Sequence, residues 1–494
     1  MPTIKEKAMS GIKWQSLSAA FVSVAKLLQI VIVARFIGKE EIGLVGVALL
    51  LNGFCTIFVD MGMASAVLHS QQLTKSQFSS FYWLNVLSGI LFTLLLFALS
   101  PLVADYYHQN ELVGIVNYTS LLIFFNSLYA LQRTMQQKRL NFRFISIAEV
   151  CSALIMLILN LLFCYMGFGV YSYVWSSLVG GVSLAVLYMF KTFIKDHAIA
   201  FHLSISEVTE GLKIGIYQVG TATLDYFSRE MDSFIISSAF TMELFGVYTI
   251  CKQMASRLYM FINPIVTSVL TPLLAKIQED RQLITRNYVK AVNYLGFVNY
   301  PAYSIMAFGA TSVLFVLYGP SYEDFGYVLF FMAFFYAFQS LGNPQGSLLI
   351  ATGRTDLGFY WTIFRIIFTV VYLYIASRFS FFVFCILVFC QPLFTAYPAW
   401  YICQRHVINI TFRESVMLFL RPFMMCMPMV FLYLIPTIFN GMEGIINSYV
   451  FHIICIVLIT VVFLPLYFMM NYYFRRSLAI SVWADVSKGV LKKK

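Results

Sequence analysis

Charge is what this sequence lacks. Only 11% of its 494 residues are Asp, Glu, Lys or Arg, 60% are hydrophobic, and the mean hydropathy is +0.80. A soluble domain carries about a quarter charged residues because its surface faces water. At this charge density most of the surface must face something else, and lipid is the environment that fits. Also missing are HExxH, Walker, GxGxxG and GxSxG motifs, so nothing points to hydrolysis or nucleotide binding. The nine cysteines all lie in apolar stretches with no CxxC pair, and they read as small buried hydrophobes with no metal or redox role. Low-complexity tracts and soluble domains are absent.

What is present is a succession of apolar runs long enough to cross about 30 Å of hydrocarbon. They fall near 12–35, 42–67, 79–104, 112–132, 145–166, 169–190, 212–239, 244–271, 289–317, 326–350, 357–377, 379–402, 416–437 and 445–470. These predict an all-α polytopic membrane protein of about fourteen transmembrane helices. Backbone in hydrocarbon must satisfy its own hydrogen bonds, so the short gaps at Gly167–Gly169 and Arg378–Phe379 predict tight helical hairpins. The run after Lys5, Lys7 and Lys13 is too long for a signal-peptide core, and the first span is expected to be retained.

The net charge of +11 raises the question of nucleic acid, and its distribution answers it. With the N-terminus inside, 25 of the 33 Lys and Arg fall in inner loops and tails, three in outer segments and five within spans. Asp105, Glu111, Glu323, Asp324 and Glu443 cluster outside. Such asymmetry is the product of positive-inside insertion, so the basic excess is topological and nucleic acid is excluded as a partner. Both termini are expected in the cytoplasm. The tail from Arg475 to Lys494 reads as a basic segment near anionic lipid.

An internal repeat organises the spans. The turn Phe36-Ile37-Gly38-Lys39-Glu40-Glu41-Ile42-Gly43 matches Ala239-Phe240-Thr241-Met242-Glu243-Leu244-Phe245-Gly246 at an offset of 203, which sets Gly43 on Gly246 and Glu40 on Glu243. Six spans separate the copies. The reading is two pseudo-symmetric six-helix lobes, residues 1–205 and 206–410, followed by two C-terminal helices and a basic tail in 411–494.

Five cations remain inside spans: Lys26, Arg229, Lys252, Arg257 and Arg365. Each would cost roughly 2.5–3.5 kcal/mol facing lipid at mid-membrane depth, so they must pair or line a wet cavity. The same offset sets Lys26 on Arg229, which predicts a positive ring around a passage shared by both lobes. Arg229 has a second reading, since Asp225 and Asp232 share its helical face and would form a structural ion cluster. Lys26, Lys252 and Arg257 have no carboxylate within a turn, which favours the cavity; Arg365, in the eleventh span, need not line it. Asp60 reads either as a cap-like packing residue or as part of a gate or coupling-ion site, and Glu149 as interfacial. Prolines interrupt several spans, among them Pro264, Pro301, Pro344, Pro392 and Pro422, and predict kinks.

Several stretches carry a family resemblance: Ala34-Arg35-Phe36, Phe58-Val59-Asp60-Met61-Gly62, Phe81-Tyr82-Trp83-Leu84-Asn85, Ser268-Val269-Leu270-Thr271-Pro272, and Gly342-Asn343-Pro344-Gln345-Gly346. From about residue 9 to 420 the chain resembles Wzx-type flippases for polysaccharide repeat units. Within these it is similar to the colanic-acid exporter branch of the multidrug/oligosaccharidyl-lipid/polysaccharide exporter superfamily. The resemblance implies a non-enzymatic transporter of the bacterial cytoplasmic membrane. It would move undecaprenyl-diphosphate-linked oligosaccharides, precursors of O-antigen, capsule or exopolysaccharide, to the outer leaflet by alternating access. Helices 1, 2, 7 and 8 would then line the central cavity, and four of the five cations lie on them. Membrane lipids and the polysaccharide polymerase machinery are implied partners. No cofactor is implied beyond proton or sodium coupling, for which Asp60, Asp225, Glu230 and Asp232 are the candidates.

Two rival readings make different demands on the sequence. A cation-coupled small-molecule or multidrug exporter of the same fold predicts an acidic cavity, which Lys26 opposes. A membrane polymerase or ligase needs a large outer loop with catalytic groups, and every outer loop here is short.

Overall fold

The computed structural model describes residues 4–70, 73–195, 199–438 and 448–474. The basic tail from Arg475 onward, and Glu443 before the last helix, lie outside the described residues. Two compact units divide the chain, Met1–Thr249 and Ile250–Lys494. Among the described residues there is no strand.

The first unit contains α1 (Ile4–Ala34), α2 (Lys39–Asp60), α3 (Met63–His69), α4 (Lys75–Tyr107), α5 (Glu111–Lys138), α6 (Phe142–Tyr165), α7 (Tyr171–Met189), α8 (Ile205–Ala239) and the first two turns of α9 (Met242–Lys276). Helices in lipid gain nothing from hiding apolar surface, so they associate through small residues and interhelical hydrogen bonds. That is how α1 to α7 are joined. Thr93 on α4 donates to the Ser120 carbonyl on α5 at 3.2 Å, and Ser152 on α6 donates to the Gly180 carbonyl on α7 at 2.7 Å. Gln29 on α1 donates to Ser177 on α7 at 2.8 Å. The α6–α7 hairpin turns on Gly167 and Gly169, both with left-handed φ (79° and 56°), which glycine adopts without steric cost.

Between α7 and α8 the chain is strapped to the start of α4. The Ala200 amide donates to Ser79 at 2.8 Å, the Ser204 amide to Ser80 at 3.0 Å, and the Trp83 indole to the Ala200 carbonyl at 2.9 Å. Glu207, in the first turn of α8, accepts from Ser76 at 2.8 Å and Ser80 at 3.0 Å and lies 3.3 Å from His202.

The second unit continues α9 and adds α10 (Arg281–Phe308), α11 (Ala310–Tyr318), a 3-10 turn at Pro320–Phe325, α12 (Gly326–Gly342), α13 (Pro344–Ala351), α14 (Thr355–Ala376), α15 (Phe381–Ala399), α16 (Phe412–Cys426), α17 (Ile435–Ile438) and α18 (Ser448–Phe474). An amide network locks its centre, with Asn299 donating to Ser340 at 2.8 Å and to Asn263 at 3.4 Å. Around it, Phe334, Phe338, Phe389 and Phe423 pack ring against ring.

Among the described residues twelve helices are long and apolar enough to cross a membrane. The pair α10 and α11, bent by 71° at Gly309, passes the same test together and makes thirteen when counted as one span. Helix α8, at 35 residues, is long enough for the fourteenth, but Asp225, Arg229, Glu230 and Asp232 keep it from being apolar. The chain is a multi-pass membrane protein.

Two expectations need correction. The second span was expected to run unbroken to 67, but α2 stops at Asp60 because Met61 and Gly62 adopt left-handed φ (44° and 69°) before α3 begins. Asp60 therefore ends a helix. Cys151, expected to be buried, is exposed on α6, where an apolar side chain is at home against lipid.

Candidate functional site

Inside the first unit a cavity of about 410 Å³ opens between α1, α5, α6 and α7. Its charged lining consists of Lys26, Arg133 and Glu149. Arg133 lies in the penultimate turn of α5 and Glu149 two turns into α6, so the α5–α6 hairpin sets the two side by side. The Arg133 Nε donates to Glu149 Oε1 at 2.8 Å, and Nη2 lies 2.8 Å from the same oxygen. Lys26 enters from α1 as an exposed side chain at the same cavity. Two cations and one carboxylate leave one positive charge, in surroundings that strengthen every electrostatic interaction.

The aromatic wall is Tyr129 and Tyr188, stacked with centroids 5.8 Å apart, and Phe144 meets the Tyr188 ring edge-on at 5.1 Å. Tyr188 is 0% exposed, and among the described residues its hydroxyl has no hydrogen-bond partner. It lines the same cavity as Arg133 and Glu149. Asn126, Thr134 and Ser152 supply the remaining polar lining.

Of the five cations expected around a shared passage, Lys26 is the one that lines this cavity. Arg229, exposed on α8, donates to the Asp225 carbonyl at 3.3 Å. Lys252 is buried, while Arg257 and Arg365 are half-buried. Among the acids, Asp232 accepts from the Tyr248 hydroxyl at 2.6 Å, tying α8 to α9. Glu230 accepts from Ser233 at 3.2 Å, and Asp60 accepts from the Ala64 amide at 3.2 Å. Among the described residues no three His, Cys, Asp or Glu side chains gather as metal ligands would.

Sequence reasoning placed Arg133 in a loop because the expected fourth span ended at 132, whereas α5 continues to Lys138. Glu149 was read as interfacial, and it pairs with Arg133 on the preceding helix. Tyr188 carried no signal in sequence, because an unpartnered hydroxyl is visible only in three dimensions.

Three comparisons bear on this arrangement. The profile of a family described as polysaccharide biosynthesis protein matches residues 32–327. The teichuronic acid biosynthesis protein TuaB of Bacillus subtilis (strain 168) is 27% identical over 361 residues, 73% of this chain and 74% of that protein. The lipopolysaccharide biosynthesis protein WzxC of Escherichia coli (strain K12) is 24% identical over 363 residues, covering 74% of each. Among solved structures, the lipid II flippase MurJ in an inward closed conformation superposes with a TM-score of 0.73 at 16% identity. That match covers 94% of this chain and 99% of MurJ. It establishes a shared fold.

Proposed function

Because this chain belongs to the polysaccharide biosynthesis protein family, we propose that it is a flippase for lipid-linked glycans. Its substrate is an undecaprenyl-diphosphate-linked oligosaccharide repeat unit, carried from the inner to the outer leaflet of a bacterial cytoplasmic membrane by alternating access. Transport, with no bond made or broken in the glycan, is its whole task. Both termini lie in the cytoplasm, and the polysaccharide polymerase machinery receives the product.

One observation supports this most directly: a cavity of net positive charge lies inside a bundle of apolar membrane-spanning helices. A diphosphate or acidic sugar cannot shed water without cations to receive it. Lys26, Lys252, Arg229, Arg257 and Arg365 are the groups proposed to engage it during the cycle. Coupling to a proton or sodium gradient falls to Asp60, Asp225, Glu230 or Asp232. Asp225, exposed on α8, is favoured over Asp232 and Asp60, which already hold hydrogen bonds within the fold. The exporter of cationic drugs is disfavoured by the positive cavity.

Deletion of the gene tests the proposal. Undecaprenyl-linked repeat units should accumulate in the inner leaflet and surface polymer should disappear, with both restored by the wild-type gene. Restoration by a Lys26→Ala/Arg229→Ala/Arg257→Ala variant at normal expression would refute the role of the cations. Unchanged polymer in the deletion strain would refute the flippase itself.

A further inference from the structure

We infer that the first-unit cavity is a subsite for one anionic sugar, at which Arg133 leaves Glu149 for the incoming anion and the Tyr188 hydroxyl takes its place on Glu149. That the anion is a sugar rests on the flippase reading; the anion exchange rests on geometry alone.

Size comes first. A cavity of about 410 Å³ lies near the low end of the roughly 300–1,000 Å³ found for small-molecule sites. It suits a sugar ring with its charged substituent and is too small for a whole repeat unit. Charge comes second. Lys26 and Arg133 against Glu149 leave one positive charge, which one bound carboxylate or phosphate neutralises.

The exchange follows from Arg133 and Tyr188 together. Arg133 is about a third exposed and can turn, while Glu149, at 16%, is the more enclosed partner. If an anion took the guanidinium away, Glu149 would keep a charge in a poorly solvated place, a costly arrangement. A spare donor beside it removes that cost. Tyr188 is that donor: its ring is fixed between Tyr129 and Phe144, and its hydroxyl is buried without a partner in the residue set that lines the ion pair's cavity. A buried unsatisfied hydroxyl costs about 1–3 kcal/mol, and nothing in the ligand-free packing repays it. A second state in which Glu149 needs a donor does. Tyr188 is thus a positioning residue, acting through Glu149.

The same chemistry has two sources in a lipid-linked glycan, a carboxylate on a sugar or the phosphate that joins the first sugar to the lipid. Calorimetric titration of the purified full-length protein with glucuronate, glucose 1-phosphate and glucose separates them. At least one charged sugar should bind about tenfold tighter than glucose, and whichever binds tighter identifies the source. Tyr188→Phe should weaken that binding about tenfold while its melting temperature stays level or rises. In a Glu149→Gln background, where no charge is stranded, Tyr188→Phe should have no further effect.

Equal binding of glucose, or no binding at millimolar concentration, overturns the subsite. A lowered melting temperature with unchanged affinity in Tyr188→Phe overturns the exchange. Failure of the flippase reading is distinguishable, since it appears as a deletion strain with normal polymer whatever the titrations give.

Discussion

Gly43 and Gly246 face one another's helices in a reciprocal contact. A Cβ at Gly43 would overlap the Met242 carbonyl, and a Cβ at Gly246 would overlap the Lys39 carbonyl. Met242 stands to Lys39 as Gly246 stands to Gly43, at the offset of 203 that marks the sequence repeat. The two copies of the motif therefore meet each other, each contact being the image of the other. The ion pair Lys39–Glu243, at 2.9 Å, closes the same junction. In the break between α2 and α3, Gly62 approaches Gly215 of α8 too closely to admit a side chain at either.

Backbone approach of this kind is available only to glycine, so Gly246→Leu should push α9 off α2. Polymer production is expected to fall at least tenfold with the protein still inserted in the membrane. Gly220→Ala, at a position with open space around it, should leave production unchanged. Equal output from both variants would show that the close approach is dispensable to the transport cycle.

Much of the architecture was legible because membrane helices announce themselves by length and apolarity, and both tight hairpins fell where Gly167–Gly169 and Arg378–Phe379 predicted. The repeat offset was legible for a related reason: the glycines that carry it are demanded by a backbone contact. The site was less legible. Lys26 was conspicuous as a charge with no carboxylate within a turn, but the cavity it lines is completed by α5, α6 and α7, and juxtaposition between helices leaves no periodic trace. The break after Asp60 was missed because Met61, a residue type that rarely takes a left-handed φ, carries no turn signal.

The Arg133–Glu149 pair allows a stability prediction. Glu149→Ala strands a guanidinium that is only about a third exposed, and should cost about 1–3 kcal/mol. Arg133→Ala/Glu149→Ala, which removes both charges, should cost less than the two single changes added together. Thermal unfolding of the four proteins in detergent measures the coupling. Strict additivity would mean the pair contributes no interaction energy.

The strap between α7 and α8 should respond to acid. Hydrogen bonds from Ser76, then from Ser80 and His202, hold the Glu207 carboxyl below its ordinary value of 4.5. A depressed carboxylate stabilises the folded arrangement above its unfolded value and loses that contribution as pH falls through the folded one. The strap is therefore expected to hold at neutral pH and loosen below about 4.5. Hydrogen exchange of the Ala200 and Ser204 amides, corrected for intrinsic rate, reports it. Glu207→Gln should raise exchange at pH 7, and its difference from wild type should vanish in acid. Equal exchange of Glu207→Gln and wild type at pH 7 would assign the strap to the serine–amide contacts alone.

Asp60 separates a structural from a coupling role. Its Oδ1 accepts the Ala64 amide at the start of α3, and an asparagine oxygen at the same place can accept that bond as well. If the bond is the whole function, Asp60→Asn keeps both transport and stability. Asp60→Ala loses about 1 kcal/mol and transport only in proportion. If the residue carries the coupling ion, the negative charge itself is needed, and Asp60→Asn abolishes transport with the melting temperature unchanged. The hydrogen bond to Ala64 favours the first outcome. Polymer output and melting temperature, measured together on both variants, decide it, because a cap fails through stability and a coupling carboxylate fails without it.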